Sequence, residues 1–299
     1  MALTVIGGSS FIGRYLIKAL AGSYKEVRLG DMYPYRESVY RMQEELDTKI
    51  TKHPLSYPTN LRLVIDGTEN LVIVTHDYFK YAHSKNFYLT RAIQWAKEYG
   101  VKNITWVGPK ELDHLVSSEI EESVKAEESA RAAFPDLKIL RTDLIFGQNC
   151  NSLLFQKTLE DLHARKRVIT GNNGNTVFAP VHEDEVLAAF KALKAGEKVS
   201  LAGPEDLKWD EIVKVLANYV GTQNPSNAVP ISMLTYFLAI SEAFGDAFYP
   251  SHYQQLYRLV SKTIDISPTV RGTKKLSDFY APGKFQGVQP LNWHRVILD

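Results

Sequence analysis

The chain has 299 residues, with 35 Lys and Arg against 34 Asp and Glu, giving a net charge of +1 with histidines neutral. It lacks the basic excess that binding a phosphate backbone requires, and 44% hydrophobic residues is too many for a disordered chain, so the expectation is a folded protein that binds no nucleic acid. A single cysteine, Cys150, excludes an internal disulfide framework, and the apolar run 231–240 is far shorter than the roughly 20 residues that cross a bilayer.

Residues 3–6 form an apolar run ending at Gly7 and Gly8. Ile12, Leu16, Ile17 and Leu20 then fall on one helical face over 11–20, which reads as strand, turn, helix. This strand follows Met1 so closely that no presequence or signal peptide is visible. A second strand over 27–29 ends at Asp31, and a charged helix follows over 37–47. Pro54 and Pro58 interrupt the poorly patterned stretch 48–70, where a strand near Ile50 and a short helix over 61–65 are expected.

The run 71–75 is continuously apolar, as a strand buried on both faces needs to be. A helix over 86–99 stops at Gly100, a strand follows over 103–107, and a polar-faced helix over 119–134 closes at Pro135. Strands at 138–141 and 144–147 complete an alternation that predicts an α/β fold: a doubly wound, parallel Rossmann-type sheet over 1–147. Beyond it, 148–299 reads as a smaller, mostly helical C-terminal lobe, with helices over 152–164, 209–220 and 233–244 and a Gly/Asn turn at 171–174. Residues 177–202, with a helix over 183–193 and a strand over 198–201, are expected to return to the sheet.

The segment Gly7-Gly8-Ser9-Ser10-Phe11-Ile12-Gly13 sits between the first strand and the first helix, where backbone N–H groups and a helix N-terminus receive the pyrophosphate of a dinucleotide. Ser10 takes the middle position of a G-x-x-G-x-x-G spacing, and its side chain would crowd the approach of phosphate unless the hydroxyl became a donor. Asp31 is placed to accept from ribose hydroxyls, favouring NAD(H), whereas Arg14 and Arg36 are placed to pair with the 2′-phosphate of NADP(H), so both cofactors stay open. Thr75 and His76, after the fourth strand, border the same crevice. The scattered histidines have no metal-ligand spacing, and no metal site is expected.

The turn at 7–15, the stretch Gly100 to Val107 and the stretch Ile139 to Gly147 together resemble the atypical short-chain dehydrogenase/reductase family. Further likeness lies in Pro34-Tyr35-Arg36, Lys85-Asn86-Phe87, Arg131 to Pro135, Ala179 to Asp184 and Ala202-Gly203-Pro204. Within that family the chain is most similar to the NAD(P)H-binding accessory subunits of mitochondrial respiratory complex I. The resemblance implies a dinucleotide ligand, other complex I subunits as partners, and a place on the matrix side of the inner membrane, peripheral to the bilayer.

An active member of the family needs a Tyr to exchange a proton with the substrate, a Lys four residues later and a Ser that orients the carbonyl. Here Lys125 matches the Lys and is placed to reach a cofactor ribose, but Glu121 stands at the Tyr position and Gly108 where the Ser would follow Val107. Two other Tyr-x-x-x-Lys strings exist, Tyr81/Lys85 and Tyr280/Lys284; the second is broken by Pro282 and Gly283, and the first is the better candidate for an unusual active site. The expectation is a non-catalytic subunit that binds NADP(H) or NAD(H), the alternative an NAD(P)H-dependent reductase or epimerase. The apolar segment 231–248 is read as a core helix of the small lobe.

Overall fold

The computed structural model describes residues 2–31, 37–55, 58–75, 82–109, 118–147, 153–223, 226–230 and 268–284. Its first half runs β1 (Ala2–Ile6), α1 (Phe11–Leu20), β2 (Glu26–Asp31), α2 (Glu37–Glu44), β3 (Lys49–Pro54), α3 (Pro58–Ile65), β4 (Asn70–Val74), α4 (Ala82–Glu98), β5 (Asn103–Pro109), α5 (Ser118–Ala133) and β6 (Lys138–Thr142). There follow β7 (Ile145–Phe146), α6 (Leu153–His163), β8 (Val168–Gly171), β9 (Val177–Phe178), β10 (Val181–His182), α7 (Glu183–Ala192), β11 (Lys198–Ala202), β12 (Leu207–Lys208), α8 (Trp209–Val220), β13 (Ser226–Val229) and β14 (Val270–Arg271).

Eight strands form one parallel sheet in the order β14-β11-β6-β5-β4-β1-β2-β3. Alternation along each strand makes both faces apolar. Leu3, Val5, Val27, Leu29, Val72, Val74, Val107 and Leu140 pack under α1, α2 and α7, whereas Leu71, Ile73, Ile104, Trp106 and Ile139 pack under α3, α4 and α5. This is the doubly wound sheet the alternating pattern predicts. The chain reverses direction across the sheet between β1 and β4, which opens a crevice at the carboxyl ends of these strands.

Pro58, read in the sequence as an interruption, instead opens α3 at the first helical position, where its missing N–H has no partner to lose. The strand near Ile50 forms as β3 at the sheet edge, paired in register with β2 over its whole length.

β11 joins the sheet beside β6, and β14 adds an edge strand beside it. Residues 270–271, assigned above to the C-terminal lobe, therefore belong to the main sheet; two ladder residues and the Gly272 N–H to Ala202 O bond at 2.8 Å hold them there. The 144–147 segment departs too: β7 leaves the sheet and pairs with β10.

The smaller region combines α6 and α8 with the short pairs β7–β10, β8–β13 and β9–β12, around a core that includes Phe146, Phe155, Leu162, Trp209, Leu216 and Tyr280. The two-residue strands β10, β12 and β14 carry too few side chains to show periodicity, which is why the sequence does not announce them. Cys150 and the segment 231–248 lie outside the described residues.

Candidate functional site

The turn after β1 is built around Gly7, whose N–H donates to Gly30 O at 2.8 Å. Gly7 has φ +76°, and a Cβ there would sit 2.2 Å from Val74 O, so only glycine lets the chain pass between the ends of β2 and β4. Ser10 caps α1: its hydroxyl accepts from the Gly13 N–H at 3.1 Å and donates to Gly7 O at 2.7 Å. The crowding expected from Ser10 is therefore corrected, because the hydroxyl folds back into the turn and closes it rather than projecting toward phosphate.

Ser9 links the turn to its surroundings through both backbone groups. Its N–H donates to Asp31 Oδ2 at 3.0 Å, and its carbonyl accepts from Arg14 Nη1. Asp31, at the end of β2, is 1% exposed, and one of its oxygens is committed to the turn. The Ser9 hydroxyl is buried and has no hydrogen-bond partner among the described residues. Phe11 and Ile12 send their side chains into the core and leave only backbone for a ligand. A ten-residue helix with no acidic group in its first turn, a glycine that a Cβ would block and an orphaned hydroxyl beside it fit the diphosphate of a dinucleotide.

Across the crevice, the Thr75 N–H donates to Val107 O at 2.9 Å and its hydroxyl accepts from Trp106 Nε1 at 2.9 Å. Lys125 is exposed on α5, beside the buried pair Ala126 and Glu127. Arg36, His76 and Tyr81 lie outside the described residues, as do the side chains of Lys85 and Glu121.

Gly108, where the resemblance would have placed a Ser, has no room for a side chain. A Cβ there would lie 2.6 Å from Arg141 Nη1, 3.1 Å from Thr75 Oγ1 and 3.2 Å from Trp106 Nε1. Arg141 is buried, its guanidinium 4.0 Å over the Trp106 ring, with Nη2 donating to Glu127 Oε2 at 2.5 Å. Lys198 Nζ lies 2.7 Å and Arg131 Nε 3.8 Å from the other Glu127 oxygen. Burial alone would raise the Glu127 carboxyl, but the Arg141 charge and the hydrogen bonds from Lys198 and Arg141 outweigh it and bring the group down to about 2.

Sequence reasoning did not single out this cluster. The available signal was an Arg inside the apolar run Ile139-Leu140-Arg141-Thr142: a buried strand cannot hold an unpaired guanidinium, so an acidic residue on the covering helix was required.

A second cluster braces α1 against α7. Tyr15 Oη donates to Asp184 Oδ1 at 2.6 Å, and Lys274 Nζ donates to Asp184 Oδ2. Glu185 accepts from the Lys274 N–H at 3.0 Å and from the Thr273 hydroxyl at 3.2 Å. These contacts fix the helix whose N-terminus faces the crevice. Among the described residues, no cluster of His, Cys, Asp or Glu is arranged to hold a metal ion.

No family model and no curated protein matches the sequence. Solved structures do. Triphenylmethane reductase from Citrobacter sp., complexed with NADP(H), is 14% identical with a TM-score of 0.64 over 88% of this chain and 90% of its own. A nucleoside-diphosphate-sugar epimerase from Staphylococcus aureus is 13% identical with a TM-score of 0.63, covering 94% of this chain and 99% of its own. UDP-glucose 4-epimerase from Thermus thermophilus, in complex with NAD, is 13% identical with a TM-score of 0.62, covering 77% and 86%. At these identities the likeness is one of architecture: this chain has the Rossmann-type α/β fold of these reductases and epimerases, with a smaller C-terminal region.

Proposed function

We propose that this protein holds NADP(H) or NAD(H) as a structural ligand, performs no hydride transfer, and serves as an accessory subunit of mitochondrial complex I, on the matrix side of the inner membrane. The dinucleotide part of this reading is supported by the Gly7 turn, the orphaned Ser9 hydroxyl and the cofactors named with the similar structures. Its complex I part rests on the sequence resemblance described above. No helix among the described residues is long and apolar enough to cross a membrane, which suits a peripheral position.

The observation that carries the non-catalytic reading is the Arg141 guanidinium at Gly108. Bound, a nicotinamide cofactor supplies a hydride donor or acceptor; turnover also needs a hydroxyl that orients a carbonyl and a phenol that delivers the proton. At Gly108 this chain places a pinned cation, and the Thr75 hydroxyl 3.1 Å from where a Cβ would sit is already engaged by Trp106 Nε1. A guanidinium is never deprotonated near neutral pH and so cannot donate a proton catalytically. What the ligand contributes is stability, by binding the folded chain and not the unfolded one.

The test has two parts. Protein from its native source, denatured, should release a dinucleotide identifiable by mass, and should migrate with a membrane respiratory assembly on a native gel; a free monomer or dimer would defeat the complex I assignment. The purified chain should not oxidise NADPH or NADH with a broad panel of carbonyl substrates.

The second reading, an NAD(P)H-dependent reductase or epimerase, is favoured by the fold shared with proteins of those activities. Turnover that disappears in Tyr81→Phe would establish it over the first.

A further inference from the structure

We infer that the segment over 270–280 is an acid-released strap, held across the first turn of α7 while His182 is neutral and let go when that ring takes up a proton. This goes beyond the dinucleotide reading and does not depend on what the crevice holds. The strap pairs with β11 through β14, continues from Gly272 to Lys275 and turns into a short helix over Leu276–Phe279, whose Leu276 and Phe279, with Tyr280, join the core of the smaller region. It therefore ties that region to the main sheet. Its hold on α7 comes from two neighbouring carboxylates. Asp184 Oδ2 accepts from Lys274 Nζ, while Oδ1 accepts from Tyr15 Oη of α1 at 2.6 Å. Glu185 Oε1 accepts from the Thr273 and Lys274 N–H groups and from the Thr273 hydroxyl, and its other oxygen lies 2.3 Å from where a Cβ on Gly272 would stand.

Both carboxylates stand in the first turn of α7, and His182 is the cap of that turn. Its Nδ1 accepts from the Asp184 N–H at 3.2 Å, and its backbone N–H donates to Glu185 Oε2 at 3.4 Å, closing a capping box. Accepting at Nδ1 makes the neutral ring the Nε2–H tautomer, so a second proton goes onto Nδ1, the capping atom itself. That proton confronts the Asp184 N–H as one donor against another. It also faces Asp184 Oδ2, 3.4 Å away, which is the oxygen that Lys274 holds. Protonation thus removes the cap and sets the imidazolium in competition with the strap for the same carboxylate oxygen.

The groups that face the ring set where the change falls. Asp184 and Glu185 on α7 favour a charge on it, and Lys274 on the strap opposes one. Phe146 of β7 and Phe279 of the strap pack edge-on at centroid distances of 5.3 and 5.5 Å and leave the residue 8% exposed. Glu183, the first residue of α7, is turned onto Gly147, where a Cβ would lie 2.2 Å from its carboxyl carbon. Burial, then Lys274, outweighs the two carboxylates and holds the ring below its ordinary 6.5. A ring freed from that packing takes the proton more readily than the docked one, so the strap is clasped above pH 6.5 and drawn open as pH falls below it. Without the α7 clasp, the strap keeps Arg271–Asp206 and Lys275–Glu205, exposed pairs of the kind that contribute little.

The experiment is backbone hydrogen exchange of the full chain at pH 7.5 and pH 5.0, each rate divided by that of an unstructured peptide at the same pH, with the His182 ring titrated by proton NMR. In the wild type, protection of the Thr273 and Lys274 amides should fall about tenfold between the two pH values, while amides of β4 and α8 keep theirs. His182→Asn, which keeps a capping acceptor and cannot titrate, should hold strap protection constant over the same range. Lys274→Met removes the cation that opposes a charge on the ring, so it should raise the His182 pKa and lower strap protection at pH 7.5. It supplies the readout if His182→Asn does not fold. A merely structural role for His182 would leave its pKa unmoved by Lys274→Met. Acid release is overturned by strap protection that is equal at the two pH values, that falls as much in His182→Asn, or that falls together with β4 and α8. A His182 pKa unmoved by Lys274→Met overturns it as well.

Discussion

Arg141 and Glu127 meet at 2.5 Å between the sixth strand of the main sheet and the helix that precedes it, and Arg141 extends past that contact to fill the side-chain space of Gly108. One ion pair thereby decides what can stand at the end of β5.

Gly108→Ser, which would supply a hydroxyl at the end of β5, should yield no activity and should destabilise the fold. The new Cβ meets a guanidinium held by Trp106, Glu127 and Pro109 O, so relief requires moving a pinned group. The cost should be about 1–3 kcal/mol, as for overpacked core substitutions, read by chemical denaturation alongside an NADPH-oxidation assay.

Stability should fall on acidification as Glu127 protonates. Its carboxyl is held at about 2 in the fold against an ordinary 4.5, so the unfolded chain binds the proton first. The contribution is fully present above pH 4.5 and is lost as pH drops from 4.5 toward 2. Its size is on the order of 2–3 kcal/mol. Glu127→Gln should remove this pH dependence and cost about 3 kcal/mol or more by taking the carboxylate from the buried Arg141, as denaturation series at pH 3 and pH 7 would show.

A milder acid response belongs to His182. Its Nδ1 accepts from the Asp184 N–H at 3.2 Å as the cap of α7, and its ring lies edge-on to Phe146 and Phe279. Burial, then the Lys274 charge, pushes its pKa below the usual 6.5, so the unfolded state takes up the proton first. Stability should decline as pH falls below 6.5, because a protonated ring cannot accept the capping bond. Thermal melts at pH 7.5 and 5.5 should differ in the wild type, and the difference should shrink in His182→Asn, which keeps an acceptor but does not titrate.

Gly7→Ala should abolish dinucleotide binding and cost about 2–4 kcal/mol, from a strained positive φ combined with overlap on Val74 O. Retained binding with an unchanged melting temperature would contradict the geometry of the turn.

Ser10→Ala should cost about 1 kcal/mol through loss of the α1 cap, with weaker binding as a secondary effect of a looser turn. Hydrogen exchange at the Gly13 amide, which now donates to Ser10 Oγ, should speed up in this variant.

Much of the architecture was legible in the sequence. The helix over 11–20 and the helix over 209–220 are found at those bounds, because each has an apolar face repeating at 3.6 residues and a clear stop. The continuous run at 71–75 is the central strand β4, because a strand covered on both faces needs no alternation. β10, β12 and β14 were illegible because two residues carry no period. The site divides in the same way. Gly7 could be read from its place between strand and helix, whereas the inward hydroxyl of Ser10 could not, since the same residue type serves as a cap or as a phosphate donor.

Local spacing, turn chemistry and hydrophobic period are properties of neighbouring residues, and by themselves they determined a parallel α/β sheet, a glycine turn at its switch point and the absence of a serine after Val107. Only the tertiary structure decided what replaces that serine. Arg141, Glu127, Trp106 and Lys198 come from three strands and a helix, and nothing in their sequence spacing brings them together. Packing the helix on the sheet does, because a guanidinium buried in a strand must find its carboxylate on whatever covers it.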